Sequence, residues 1–216
     1  CRNVQTLWNT LMGLVKYNNL SISSIDDVSN TDGAMILIKT LTASSDSALN
    51  FVDGTSSVVL DNTYPIYKFV LTSIHPATDS ALLQVNFRDG GSSYDATKTS
   101  TYFYAQHGED GNNGEITYSA TYDLAQSTAA QSISEIAGNA NDESISGCLY
   151  LFNPSSTTYV KHYMSETNTY IPSNRSTRVN VAGYCNVTAA IDGVQFAMSS
   201  GNIDAGTVKL YGIKDS

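Results

Sequence analysis

The sequence predicts an all-β domain, an antiparallel jelly-roll-like sandwich of two sheets with about ten or eleven strands, preceded by one short helix. From Ala34 onward, apolar and polar residues alternate with a period of two over many short runs. No helical pattern interrupts those runs, which excludes a parallel α/β sheet. The 216 residues are enough for one large β domain, so a second folding unit is not required.

Residues 1–20 have a helical pattern. Apolar side chains recur there at three- and four-residue spacings, which places them on one side of a helix of about four turns. The residues that define this stripe are Leu7, Trp8, Leu11 and Leu14. The stripe is too short to diagnose a coiled coil, so the helix either docks on the sandwich or forms the end of a stalk made with other copies. Because the chain begins at Cys1 without Met, we expect a fragment or processed product, which favours the stalk.

A Ser- and Asp-rich linker over residues 21–34 leads to the β-sandwich domain over residues 35–216. The predicted strands before the closing segment are Met35–Thr42, Ala48–Val52, Ile66–Ile74, Ala81–Arg88, Thr101–Gln106, Glu115–Leu124, a distorted strand around Ser132–Ile136, Gly147–Phe152, Thr157–Met164 and Arg178–Val187. In the fourth of these strands the predicted inward residues are Ala81, Leu83, Val85 and Phe87.

The chain closes with two further alternating runs. Val194, Phe196 and Met198 alternate with polar or small residues, and Val208 and Leu210 do so again after a polar loop. That loop, residues 199–206, contains glycines and Asx residues, which tolerate positive φ. We therefore expect a closing β-hairpin whose loop turns back so that Ile203 covers the edge of the core.

The composition excludes two classes of partner. Charged residues make up 14% of the chain, against roughly 25% in an average soluble protein, and Ser, Thr, Asn, Gly and 14 tyrosines take their place. The formal net charge is −9 and the 11 basic residues are scattered, whereas a phosphate backbone requires clustered Lys and Arg. Nucleic acid is therefore not expected as a partner. No apolar run reaches the roughly 20 residues of a membrane-spanning helix, so no membrane span is predicted.

The sequence gives no catalytic, metal or cofactor site. Cys148 and Cys185 lie in strand-like runs without metal spacing, so we expect buried free thiols, with a Cys148–Cys185 disulfide as the alternative. The histidines are not at ligand spacing, and we expect His75 to hydrogen-bond to loop backbone. The acidic and amide-rich loop 107–115 is expected to be solvated; calcium binding is the alternative, although the spacing does not match a calcium loop.

Tyrosines are the candidate contact residues. A tyrosine combines flat apolar area with a hydroxyl at low entropic cost, which suits glycan and protein surfaces. The candidates around the middle loops are Tyr102, Tyr104, Tyr118, Tyr122, Tyr163 and Tyr170. The alternative is that these side chains are half-buried on the faces of the sandwich.

Three separated stretches occur in order: Ser73–Gly91 (SIHPATDSALLQVNFRDGG), Ser146–Ser165 (SGCLYLFNPSSTTYVKHYMS) and Ile191–Ile213 (IDGVQFAMSSGNIDAGTVKLYGI). Together they resemble a family of structural proteins of tailed bacteriophages, especially marine and cyanobacterial phages, whose C-terminal β domain often ends in a near-identical segment. The resemblance spans Met35 to Ile213. It implies a virion component and brings no catalytic residues.

We therefore expect the tip domain of a tail fibre or appendage on the virion exterior, which would assemble subunits and attach to the host surface. The expected partners are other virion proteins, further copies of this chain, with a trimer favoured, and a host-surface glycan or protein. A capsid decoration (cement) protein on the phage head is the alternative. An enzyme acting on surface polysaccharide is a third possibility; the paired carboxylates Asp26-Asp27 and Asp142-Glu143 lie in turn-like sequence and are not expected to converge.

Overall fold

The computed structural model describes residues 34–215, which form twelve strands and no helix. The strands are β1 Met35–Thr42, β2 Leu49–Val52, β3 Ile66–Pro76, β4 Leu83–Arg88, β5 Lys98–Gly108, β6 Glu115–Tyr118, β7 Gln131–Ser132, β8 Ile145–Phe152, β9 Lys161–Ile171, β10 Arg175–Cys185, β11 Gly193–Met198 and β12 Ile203–Ile213. The helix predicted for residues 1–20, with Leu7, Trp8, Leu11 and Leu14, and almost all of the linker 21–34 lie outside the described residues.

The strands form two antiparallel sheets. The large sheet has eight strands in the order β1-β12-β3-β8-β9-β10-β5-β6, and the small sheet has four in the order β2-β11-β4-β7. Consecutive strands repeatedly change sheet: β1, β3, β8 and β12 belong to the large sheet, whereas β2, β4, β7 and β11 belong to the small one. The prediction of an all-β domain with two antiparallel sheets is therefore confirmed. Within residues 34–215, no helix has the length and apolar character needed to cross a membrane.

An aromatic cluster joins the inner faces of the two sheets. Phe51 and Phe196 come from the small sheet and Phe69 from the large one, and all three are fully buried. The ring centroid of Phe69 is 5.2 Å from that of Phe51 and 5.4 Å from that of Phe196. Aromatic pairs at these distances contribute about 0.5–1.5 kcal/mol each beyond the burial of their area. This cluster is the centre of the hydrophobic core.

Strands β5, β6, β9 and β10 widen the large sheet on one side only. They are added beyond β8, so the small sheet, with four strands, faces only part of the eight-stranded sheet. The segment between β6 and β8 lies under the added strands: the Tyr102 hydroxyl donates to the Ser134 carbonyl at 2.9 Å, and the Thr167 hydroxyl donates to the Ile133 carbonyl. The inner face of the added strands is thus covered by this segment.

The predicted closing hairpin is wrong. Strands β11 and β12 do alternate with a period of two, but they belong to different sheets: β11 pairs with β2 and β4, and β12 pairs with β1 and β3. The loop between them therefore carries the chain from one sheet to the other. Ile203 is fully buried, as expected, because it opens β12 on the core side.

Most strand boundaries differ from the prediction by a few residues, and three predicted strands differ most. The strand predicted at Thr157–Met164 is displaced to Lys161–Ile171, because its inward positions beyond Tyr163 are Ser and Thr rather than apolar residues. The strand predicted at Glu115–Leu124 ends at Tyr118. The distorted strand predicted around Ser132–Ile136 reduces to Gln131–Ser132.

Two buried lysines hold the loops at one end of the sandwich. The Lys98 ammonium donates to the Asn86 side-chain oxygen at 2.6 Å and to the Ala96 carbonyl at 2.7 Å. The Lys161 ammonium donates to the carbonyls of Val187 and Ala189, both at 2.6 Å. Burial lowers the pKa of Lys98 to about 8 and lowers that of Lys161. These contacts fix the connections that flank β5, β9 and β10.

Candidate interaction surface

The structure separates the six candidate tyrosines. Tyr102 and Tyr163 are fully buried, so they are core residues and not surface contacts. Their positions alternate with exposed neighbours along β5 and β9, and the sequence did not reveal that the face occupied by the tyrosines is the inner one. The others are at least partly exposed: Tyr104 and Tyr122 pack against the core, Tyr170 lies near the end of β9, and Tyr118 is 55% exposed on β6.

The exposed apolar side chains of the domain concentrate on the outer face of the large sheet, the side away from the core. Strand register aligns them in rows across neighbouring strands. One row is Met35, Ile213, Ile66 and Phe152. The next row is Leu37, Tyr211, Lys68, Tyr150, Met164, Ala182 and Thr101. A third row, one step further along the strands, contains Thr40, Lys209, Val70, Cys148, Glu166, Asn180, Phe103 and Tyr118. We call this surface the outer apolar face.

Large side chains lie along the two edges of the face and also at Tyr150 and Met164 in its middle, and the small side chains Cys148 and Ala182 lie beside them. A groove with a volume of about 470 Å³ runs over Cys148 and Ala182, between Phe152 on one side and Phe103 on the other. A second depression of about 440 Å³ adjoins it at Met164. At the edges, apolar side chains protrude into solvent: Leu37 is 52%, Tyr118 55% and Ile116 79% exposed. The outer apolar face therefore has concave and convex apolar parts.

Few charges interrupt this face. Glu166 is the one acidic residue among the described residues that line the groove, and it forms an ion pair with Arg178 at 2.8 Å. The Lys68 ammonium lies 5.0 Å from the centroid of the Tyr150 ring, a cation–π contact. A hydrogen bond with the Tyr150 side chain raises the pKa of Lys68. Both contacts neutralise or screen charge that would otherwise oppose burial of the surface.

The outer face of the small sheet is different. Its strands present Asn50, Gln195, Asn86, Gln84 and Arg88 to the outside. The Gln195 side-chain amide donates to the Asn50 side-chain oxygen at 2.8 Å. Arg88 makes a two-bond ion pair with Asp192, with distances of 2.8 and 3.0 Å. These amides and charges are the pattern of a surface that remains in water.

The two cysteines that the structure describes are both free, and they lie on opposite faces of the large sheet. Cys185 is fully buried, and burial raises the pKa of its thiol to about 12. Cys148 lines the outer groove and is partly exposed, so the prediction that it is buried is wrong. Because the two side chains point to opposite sides of the sheet, the alternative disulfide does not form.

The remaining candidates are structural. The His75 Nδ1 contacts the Glu143 carbonyl at 2.7 Å, which confirms the predicted bond to loop backbone. In the loop 107–115, the Asp110 carboxylate accepts a hydrogen bond from the Asn112 backbone amide at 2.9 Å, an Asx turn. Among residues 34–215 no group of three or more His, Cys, Asp or Glu side chains is arranged to hold a metal ion.

Sequence reasoning missed most residues of the outer apolar face, including Phe103, Ile116, Met164 and Phe152. Several of its strands are apolar on both faces, as in IYKFV and YLF, and this was the available signal. A strand with two apolar faces indicates that both faces are covered.

Neither a protein-family model, nor a curated protein, nor a solved structure matches this chain. The functional interpretation therefore depends on the geometry of the outer apolar face. A broad surface of protruding aromatic and aliphatic side chains, interrupted by few charges, is suited to contact with another protein surface.

Proposed function

We propose that this chain is a structural protein of a phage virion, the tip domain of a tail fibre or other appendage, which assembles with neighbouring subunits and displays its loops to the host. The outer apolar face is the observation that carries the proposal. A monomeric soluble protein rarely exposes a contiguous apolar patch of more than a few hundred Å². A surface of this breadth therefore favours a role in assembly.

The strand order supports a jelly roll to which four further strands have been added. If β5, β6, β9 and β10 are set aside, the remaining strands form two four-stranded sheets, β1-β12-β3-β8 and β2-β11-β4-β7. An eight-stranded sandwich whose two four-stranded sheets have this strand order has jelly-roll topology, which is common in viral structural proteins. The four added strands double the width of one sheet. They enlarge the surface that we assign to assembly and leave the small sheet unchanged.

The phage assignment rests on the three stretches that resemble structural proteins of tailed phages. In the structure they form the end of β3 and all of β4, almost all of β8 and the start of β9, and β11 and β12. These segments contribute core side chains from both sheets. The resemblance therefore supports a shared fold for these parts of the domain.

Locating the chain on the particle tests the proposal. Antibodies raised against the domain and coupled to gold are added to purified phage particles, which are then imaged by electron microscopy. We expect labels at the distal ends of appendages and about a dozen or a few dozen copies per particle by quantitative mass spectrometry. Labels over the head with hundreds of copies would instead support capsid decoration, and absence from purified particles would contradict a virion role.

A further inference from the structure

We infer that protonation of Glu135 acts as a pH-sensitive switch: the neutral acid strengthens the packing of one segment against strand β5, and the carboxylate weakens it. The segment consists of residues 131–137, and we call it the covering segment. The inference concerns packing inside one chain, so it goes beyond the proposed function and does not depend on it. It rests on the position of the covering segment, on the single proton of the Tyr102 hydroxyl and on the surroundings of Glu135.

The covering segment joins the two sheets between β7 and β8. The Ile133 backbone amide donates to the Leu83 carbonyl of β4 at 2.9 Å, which bonds the segment to the small sheet. The Tyr102 hydroxyl of β5 donates to the Ser134 carbonyl at 2.9 Å, which bonds it to the large sheet. Tyr102 and Ser134 are both fully buried. Loss of the bond from Tyr102 therefore leaves a buried carbonyl that cannot turn to water, and this weakens the packing of the segment.

The Tyr102 hydroxyl has two acceptors within reach and one proton to give. Its oxygen lies 2.9 Å from the Ser134 carbonyl oxygen and 3.0 Å from Oε1 of Glu135. A phenol donates one hydrogen bond and can also accept. When Glu135 is ionised, its carboxylate competes with the Ser134 carbonyl for that proton, and the charged acceptor forms the stronger bond. When Glu135 is protonated, it donates to the Tyr102 oxygen, and the Tyr102 proton stays on the Ser134 carbonyl.

The surroundings of Glu135 favour the neutral acid. Glu135 is half-buried, and burial raises its pKa; the hydrogen bond from Tyr102 lowers the pKa only in part. The titratable groups that face it are the phenols of Tyr102 on β5 and of Tyr122, which follows β6, and Tyr104 on β5 interacts with both. Neither of the two ion pairs within residues 34–215 includes Glu135. Ionisation therefore places an unpaired negative charge among aromatic rings.

The sign of the pH dependence follows from this raised pKa. In the unfolded or locally opened chain, Glu135 has a pKa near the ordinary value of 4.5, and in the folded protein its pKa is higher. Between the two values the folded protein binds more protons, so the stabilisation is fully present below the ordinary value and is lost as pH rises through the folded one. We expect the covering segment to open more often at neutral pH than at acidic pH.

Hydrogen–deuterium exchange of the full chain tests the switch at the covering segment. The backbone amides of Ile133 and Ala137 donate to β4 and to the residue Ala81 just before it, and NMR measures their protection from pH 4.5 to 8, corrected for intrinsic exchange. In the wild type we expect protection to fall as pH rises, by about tenfold for each unit by which the folded pKa of Glu135 exceeds the unfolded one. Glu135→Gln, whose amide donates at every pH, should have constant protection that exceeds the wild-type value at neutral pH.

A second carboxylate on the connection between β7 and β8 provides the matched control. Glu143→Gln removes that charge and keeps an oxygen that accepts from the Ala140 backbone amide. Protection of the covering segment in this variant should fall with pH as in the wild type. Carbon-13 NMR titration of the Glu135 carboxyl follows the proton itself. We expect a midpoint above 4.5 in the wild type and a higher one in Tyr102→Phe, which lacks the hydrogen bond that lowers it.

Two results of the exchange experiment would overturn the switch. One is constant protection of the wild type over this range, and the other is an equal fall in Glu135→Gln, because the proton would then bind elsewhere. If Glu135→Gln does not fold, the titration of the wild type decides, and a midpoint at or below 4.5 would refute the inference. None of these results changes where antibodies label the particle, so the switch and the proposed function fail independently.

Discussion

The two outer faces of this sandwich share one core and differ in chemistry. On the small sheet, Asn50, Gln195 and Asn86 lie side by side across three strands. On the large sheet, the corresponding position across three strands is occupied by Leu37, Tyr211 and Lys68, with Tyr150 and Met164 beyond them. The same register rule therefore produces an amide row on one side of the molecule and an apolar row on the other.

The difference shows that folding alone does not explain the outer apolar face. Both sheets bury large inward side chains, and the small sheet is stable with polar outward ones. Outward apolar residues contribute little to the stability of a sandwich whose outer face is in water, so the large sheet could have been as polar as the small one. The proposed contact with another surface would account for its apolar residues.

The largest expected effect on stability comes from comparing a phenylalanine in the core with a phenylalanine on the outer apolar face. Phe196 is fully buried between Phe51 and Phe69, and Phe196→Ala should lower the free energy of unfolding by about 3–5 kcal/mol. Phe103 is 43% exposed on the outer apolar face, and Phe103→Ala should cost less than about 1 kcal/mol. Urea unfolding of both variants, at a protein concentration where light scattering shows a monomer, measures the two values.

The same two variants can also contradict the proposed difference between the two outer faces. If Phe103→Ala costs as much as Phe196→Ala in the monomer, then the outer apolar face is covered within a single chain. The contrast between the two outer faces would then reflect intramolecular packing and not assembly.

The next largest effect on stability comes from comparing the buried Lys161 with Lys68 on the outer apolar face. Lys161→Met removes an ammonium that donates to three loop carbonyls, those of Ser156, Val187 and Ala189, and leaves these carbonyls without that donor. We expect a loss of about 2–3 kcal/mol in the free energy of unfolding. Lys68→Met on the outer apolar face removes a cation–π contact with Tyr150 and should cost about 0.5–1 kcal/mol. Thermal or urea unfolding compares them; equal losses would mean that Lys161 is not holding the loops.

The buried Lys98 makes stability depend on pH. Its pKa is about 8 in the folded protein because of burial, whereas in the unfolded chain it is near the ordinary lysine value of 10.5. Between these values the unfolded chain binds more protons, so the free energy of unfolding rises with pH. We expect a rise on the order of 1–2 kcal/mol from pH 8 to 10. Lys98→Met should flatten the rise in urea unfolding measured across this range, and an unchanged slope would contradict the assignment.

The alternation of apolar and polar residues with a period of two predicts only part of the fold. It records which side chains share a face of one strand, so the inward set Ala81, Leu83, Val85 and Phe87 was confirmed. It does not record which strand lies beside which. That is why β11 and β12 were predicted as a hairpin although they lie in different sheets: a polar Gly- and Asx-rich loop serves either connection.

The candidate surface was harder to predict for the same reason. Met164 is separated from Tyr150 and Ala182 in sequence, and lateral pairing brings them into one row. The tyrosines were selected by residue type, so buried Tyr102 and Tyr163 were included with exposed Tyr118. Only the register of neighbouring strands shows that the apolar outward positions form one continuous surface.

The smallest effect compares one ion pair on each outer face. The Arg88–Asp192 pair on the small sheet has two bonds, and its side chains are 18% and 31% exposed. On the outer apolar face, the Arg178–Glu166 side chains are 57% and 56% exposed. We expect Arg88→Gln to cost about 1 kcal/mol and Arg178→Gln less than about 0.5 kcal/mol in the monomer, since exposed pairs contribute little.

Assembly should reverse this order, and that is what makes the pair of variants informative. When a neighbouring copy covers the outer apolar face, loss of Arg178 leaves the Glu166 carboxylate buried without its partner. An assembly made through this face should then dissociate at lower concentration in Arg178→Gln, whereas Arg88→Gln should leave it intact. Light scattering over a dilution series measures both. If neither variant changes the dissociation, the ion pair lies outside the contact, and the interface is confined to the part of the outer apolar face on β1, β12 and β3.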